Sequence, residues 1–275
     1  MNSDSLLESI RAIQGRSGFE GVGVAVFDYE RGESFDADSS RWFHAASVMK
    51  LAVLLALFKA AEQGSVRLDD PLHVRNRFRS VADGSPFRLE SDRDGDEATH
   101  RRLGRTMKLA ELAHAMITRS SNLATNLLLD WLTVERVGAV LAESGVEGVK
   151  VVRGVEDHVA FQRGLNNEMT PAGAVQMLRL LCEGEFFSEF SRHQMRDILL
   201  AQEFNSMIPA RLPSRVKVAH KTGEISTHCH DAGIVFFPDR KPYVVAIFTQ
   251  GPPMLDQRQR SVAEISSTVF EAITA

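Results

Sequence analysis

Ser47-Val48-Met49-Lys50 pairs a hydroxyl with an amine three residues away. Residues three apart share one face of a helix, so Lys50 Nζ can come within reach of Ser47 Oγ. A serine hydroxyl attacks poorly until a base takes its proton. A lysine is such a base only where burial or nearby positive charge lowers its pKa. Ala46, Val48, Met49 and Leu51 supply the apolar setting. Ser47 would open a helix, where free N–H groups and the dipole favour a developing oxyanion. The same pair also fits an N-cap serine followed by a lysine that snorkels to solvent.

Ser120-Ser121-Asn122 places a hydroxyl and an amide where both can point into one cleft. The hydroxyl can relay a proton and the amide can bind a substrate carbonyl; both residues also suit helix capping before Leu123. His220-Lys221-Thr222-Gly223 offers a cation and a hydroxyl to an anionic substrate group. Gly223 removes a side chain where a substrate backbone could lie close. An exposed strand end carries Lys and Thr just as readily.

Elements far apart in the chain must bring these residues together. Leu6, Ile10 and Ile13 sit at helical spacing, and Val22, Val24 and Val26 alternate within Gly21–Asp28 as in a strand. The turn at Arg31-Gly32 leads to a short strand over 34–37. Residues 47–63 read as a helix apolar nearly all round, closed by Gly64, which predicts burial at the centre of a domain. Helical periodicity recurs over 107–118, 122–132, 134–144, 171–181 and 192–202. Strands return over 217–222, 232–237 and 243–249, before a closing helix over 257–272. Strands at both ends with helices between them predict a discontinuous α+β architecture. Residues 1–45 and 206–275 would form the α/β domain and residues 46–205 an inserted all-helical domain, with the active site in the cleft between them. The acidic segment 91–97 lacks an EF-hand's closing glutamate and reads as a solvated loop.

Taken in order, S-x-x-K, S-x-N and K-T-G resemble the serine β-lactamase and penicillin-binding-protein superfamily, most closely the class A β-lactamases. The spacing matches, with 101 residues from Ser120 to Lys221. So does the surrounding text: GVGVAVFDYERGE, MITRSSNLATNLLL and HDAGIVFFPDRKPYVVAIFTQG. The resemblance covers nearly the whole chain. It implies a β-lactamase/DD-peptidase-like fold, with an antiparallel five-stranded sheet flanked by terminal helices. It also implies Ser47 as acylated nucleophile, Lys50 as its base or proton partner, and Ser120 as shuttle of a proton to the leaving nitrogen. Asn122 would hold the substrate amide, and Lys221 and Thr222 its carboxylate. The backbone N–H groups of Ser47 and Glu224 would form the oxyanion hole. No metal or cofactor is needed. The expected reaction is acyl transfer from an amide, most of all a β-lactam, to serine and then to water. The alternatives are a DD-peptidase or amidase/esterase of the same fold, or a catalytically silent ligand-binding member.

Three departures bear on that expectation. Class A enzymes carry the deacylating glutamate in an E-x-x-L-N pattern. Here Glu156 stands 34 residues after Asn122, as expected, but Val159-Ala160 replace Leu-Asn. Glu156 could activate water or form a salt bridge with Arg153, and Asp157 is the rival carboxylate. Glu224 follows K-T-G where small residues are common, so its charge could disfavour substrates with a carboxylate nearby. Beyond it, Thr227-His228-Cys229-His230-Asp231 stands where class A enzymes often carry an arginine. His230, hydrogen-bonded to Asp231, could line the cleft as a substrate contact or form an ordinary structural pair. A zinc reading of His-Cys-His-Asp is weak, because one short segment seldom supplies a site.

The 275 residues carry 32 Lys+Arg against 36 Asp+Glu, a net charge of −4, with 44% hydrophobic residues. That balance offers no basic footprint for nucleic acid and excludes disordered, collagen-like and coiled-coil classes. Two cysteines, Cys182 and Cys229, allow free thiols or one disulfide. No apolar run is long enough to span a membrane. Met1-Asn2-Ser3-Asp4 does not open a secretory signal, so a cytoplasmic monomer acting on a small acyl substrate is expected, or a periplasmic or secreted one if a leader has been removed.

Overall fold

The computed structural model describes residues 3–251 and 254–275, so Met1 and Asn2, part of the leader reading, lie outside the described residues. The chain opens with helix α1 (Ser3–Ser17) and strands β1 (Gly21–Asp28) and β2 (Glu33–Ala37). Besides a one-turn helix at Glu97–His100, seven helices follow: α2 (Lys50–Glu62), α3 (Leu109–Thr118), α4 (Asn122–Leu132), α5 (Val134–Glu143), α6 (His158–Gln162), α7 (Pro171–Arg179) and α8 (Glu189–Leu200). Strands β3 (Lys217–Ile225), β4 (His228–Phe236) and β5 (Tyr243–Gln250) and helix α9 (Leu255–Thr274) close the chain.

The sheet is five-stranded and antiparallel, in the order β3-β4-β5-β1-β2. The chain ends meet where β1 pairs with β5 from Gly21↔Gln250 to Asp28↔Tyr243. Alternation along these strands builds two cores. Val22, Val24, Val26, Val245 and Ile247 join Leu6, Ile10 and Ile13 of α1 and Val262, Ile265 and Val269 of α9. Ala25, Val244, Ala246 and Phe248 face the other way, onto the helices between the chain ends. At Gly23 a Cβ would lie 2.8 Å from Pro171 Cγ, so glycine lets the start of α7 sit on the sheet. Helix α2 runs through the centre of that second core, with every residue from Lys50 to Phe58 buried.

The structure corrects several boundaries. The segment between the chain ends is not all helix. Pro71–His73 pairs with Thr106–Lys108, Phe78–Arg79 with Pro86–Phe87, and Glu168–Met169 with both Phe43–His44 and Val149–Lys150. Helix α3 starts later than its periodicity suggests because 106–108 are strand. Strand β4 starts at His228 rather than 232, since residues 228–231 are paired on both sides, with β3 and with β5. Cys182 and Cys229 are free thiols. Among the described residues no helix is long and apolar enough to cross a membrane.

Candidate active site

Ser47 lies in a single 3-10 turn, Ala46–Met49, rather than in the α-helix that follows it, and Ala46 takes a left-handed φ of 45°. The Lys50 backbone N–H closes this turn onto Ser47 O, which sets the two residues on one face. Lys50 is fully buried. Its Nζ donates to Ser120 O (2.7 Å), Ser120 Oγ (3.1 Å) and Asn122 Oδ1 (2.9 Å). All three of these contacts fall on the S-x-N turn. Burial, helped by the charge of Lys221, pushes the Lys50 pKa well below its usual value, against the opposing pull of Asp94 and Glu156.

Ser120 is itself left-handed, with φ 56°, which turns its hydroxyl toward both lysines. Lys221 Nζ donates to Ser120 Oγ at 3.2 Å and to Thr222 O at 2.9 Å. Burial lowers the Lys221 pKa to about 7 against the opposing charges of Asp231 and Glu224. A hydroxyl accepting from two amines keeps its own proton free to donate.

Behind Lys221, buried His220 pairs through Nδ1 with Asp231 Oδ1 at 2.9 Å, and Asp231 Oδ2 accepts from Ile208 N. Gly223 is needed for a reason other than room for a substrate. A Cβ there would lie 2.9 Å from Val48 Cγ2 and 3.0 Å from the backbone nitrogens of Ser47 and Val48. Its missing side chain lets β3 rest on the turn that carries Ser47.

Glu156 sits at the rim of the same cleft with φ 61°, and its Oε1 accepts from Asn122 Nδ2 at 2.9 Å. The Arg153 salt bridge considered from sequence is not formed among the described residues. Arg153 donates to the carbonyls of Leu165 and Gly154 instead. Asp157 is spent on structure, accepting from Ala160 N, as the cap of α6, and from Val81 N. Two asparagines hold the loop. Asn126, one turn along α4 from Asn122, bonds both polar atoms of Val155, and Asn167 bonds Val152 and Arg153.

The cleft encloses about 540 Å³ and is lined by Ser47, Asn122, Glu156, His44, Phe161 and Glu224 among others. That is the size of a small-molecule site. Thr222 is buried, 5% exposed. The Glu224 carboxylate accepts from Gln259 Nε2 of α9 at 2.7 Å.

One expectation fails and another holds only in part. His230 is fully buried: Nε2 meets His44 O at 3.0 Å, Nδ1 accepts from Thr249 N, and the ring stacks on Phe248. It neither lines the cleft nor bonds Asp231, which belongs to His220. The residues of His228-Cys229-His230-Asp231 alternate across the sheet, so the four side chains do not converge. The acidic segment is largely exposed, as a solvated loop would be, but two of its carboxylates are not. Asp94 and Asp96 are buried in hydrogen bonds, Asp94 to the backbone of Asn122 and Leu123, and Asp96 to Arg119. The sequence did carry a signal for Asn126, a polar residue repeating Asn122 at i+4 in the apolar run NLATNLLL. Asp94 carried none beyond the acidic spacing that suggested solvent.

A model of the β-lactamase enzyme family matches residues 5–273. A β-lactamase from Bacteroides uniformis is 25% identical over 98% of this chain and 89% of its own length. Among solved structures, an ancestral class A β-lactamase superimposes with a TM-score of 0.84 at 28% identity, covering 97% of this chain and 99% of that one. PBP-A superimposes at 0.83 with 26% identity, covering 98% and 96%.

Proposed function

The chain belongs to the β-lactamase enzyme family, and on that premise we propose that it forms an acyl-enzyme on Ser47 and hydrolyses the amide bond of a β-lactam. The observation that carries this reading is the buried Lys50, whose backbone closes the turn onto Ser47 and whose amine is tied to Ser120 and Asn122, with Lys221 donating to the same Ser120 hydroxyl. Neutral Lys50 takes the Ser47 proton as Oγ attacks the carbonyl carbon. The carbonyl π pair moves onto oxygen, which the N–H groups of Ser47 and Glu224 would stabilise; the close approach of Gly223 to Ser47 N supports that pairing. When the C–N bond breaks, Ser120 gives its proton to the nitrogen and regains one from the Lys50 ammonium. Lys221 and Thr222 hold the substrate carboxylate. Glu156 then takes a proton from water as the water attacks the ester, and Ser47 leaves with a proton returned through Lys50. Each step uses side chains of this chain alone.

A second reading, a DD-peptidase or amidase/esterase of the same fold, is favoured by one observation. Glu156 stands in a loop without the Leu-Asn pair and in a left-handed backbone, and the likeness to PBP-A comes near that to named β-lactamases. Incubation with nitrocefin and a fluorescent penicillin, following turnover and intact mass together, separates the two. Turnover that vanishes in Ser47→Ala supports β-lactam hydrolysis. A lasting adduct without turnover supports the second reading. Neither adduct nor turnover, with activity on a simple ester, overturns the β-lactamase reading.

A further inference from the structure

Asp94 belongs to none of the three motifs, yet its fully buried carboxylate contacts the turn that carries one of them. Oδ1 accepts from Asn122 N at 2.9 Å and Asp96 N at 3.1 Å, and Oδ2 accepts from Leu123 N at 2.8 Å. His100 Nε2, in the one-turn helix Glu97–His100, meets Oδ2 at 2.9 Å. The Asn122 and Leu123 donors lie in the first turn of α4, which follows left-handed Ser120 after one residue. That residue is strained for a side chain bearing a Cβ, and such strain persists only where the surroundings over-determine it. Ser121 caps the same helix through Ala124 N, so capping alone does not account for Asp94.

Resting on the reading of Ser120 and Asn122 given above, we propose that Asp94, braced by His100, is a positioning residue. By gripping the N–H groups of Asn122 and Leu123 it fixes the turn that presents Ser120 Oγ and Asn122 Oδ1 to Lys50. The carboxylate also acts on Lys50 through space. The charged groups facing that amine are Lys221 from β3, Glu156 from its loop and Asp94. Lys221 disfavours the ammonium, whereas Asp94, Glu156 and the three acceptors on Ser120 and Asn122 favour it. Neutralising Asp94 removes a negative charge and loosens two residues that accept from the ammonium. Both effects move the Lys50 midpoint down.

Asp94→Asn keeps the shape and leaves one acceptor oxygen for three backbone donors. The expected results are faster hydrogen exchange at Asn122 and Leu123 than in the rest of α4, and a lower Lys50 titration midpoint by NMR. Acylation by a fluorescent penicillin should slow by about 10²-fold. Its acid limb should move to lower pH by about one unit. A role confined to stability would lower Tm without moving that limb or the midpoint. His100→Phe, which removes the brace and keeps a ring, should give smaller changes of the same sign, and it decides the matter if Asp94→Asn does not fold. Unchanged amide protection and an unchanged Lys50 midpoint in the variants that fold overturn the proposal. The NMR readouts need no substrate, so a wild-type protein that penicillin fails to acylate would count against the proposed function while leaving this test decisive.

Discussion

Asn122 Nδ2 donates to Glu156 Oε1 at 2.9 Å while Asn122 Oδ1 accepts from Lys50, so one amide joins the amine proposed as acylation base to the carboxylate proposed for deacylation. On the proposed mechanism both steps share this support, and variants on either side of it should fail at different steps.

Glu156→Gln retains an oxygen able to accept from Asn122 but cannot take a proton from water. Acylation should stay within a few-fold of the parent, and deacylation should fall by about 10²–10⁴-fold, the scale of a lost general base. Intact mass over time would then show an adduct that persists. Deacylation at the parental rate would assign the water to another group.

Lys221 links stability to pH. Burial lowers its pKa from 10.5 to about 7 in the folded protein. Between those values the unfolded chain holds a proton that the folded chain lacks, so this contribution to stability rises with pH and is lost as pH falls toward 7. Lys221→Met abolishes the linkage. The difference in Tm, parent minus variant, should therefore increase from pH 7 to about 10. A difference that stays constant over that range would contradict the burial of a titrating amine here.

Gly223→Ala tests the contact between β3 and the nucleophile turn. Behind Val48 Cγ2 at 2.9 Å, the added carbon would meet two backbone nitrogens at 3.0 Å, so strand and turn must separate. A loss of about 1–3 kcal/mol in urea unfolding is expected from overpacking. Acylation should slow by about 10²-fold from displacement of the oxyanion donors. A variant that acylates normally would show that this contact does not set the geometry.

Much of the fold was legible because periodicity and core burial coincide. Val22, Val24 and Val26 alternate and face α1 and α9, and the uniformly apolar run after Ser47 is the buried α2. The three motifs were legible because each is short and local. The residues that support them were not, since their partners are backbone groups distant in sequence. Asp94 reads as solvent-facing until the N–H groups of Asn122 and Leu123 are placed beside it. His230 reads as a cleft residue until pairing on both sides of β4 turns its ring onto Phe248. Gly223 suggested room for a substrate, whereas the Ser47 turn fills that space.

Whether Ser47 carries the acyl group is decided by intact mass after brief exposure to penicillin, with the modified peptide then located by fragmentation. The prediction is an adduct of one intact penicillin on Ser47, absent from Ser47→Ala, with nitrocefin turnover lost in the same variant. An adduct on another residue, or turnover that survives in Ser47→Ala, would contradict it.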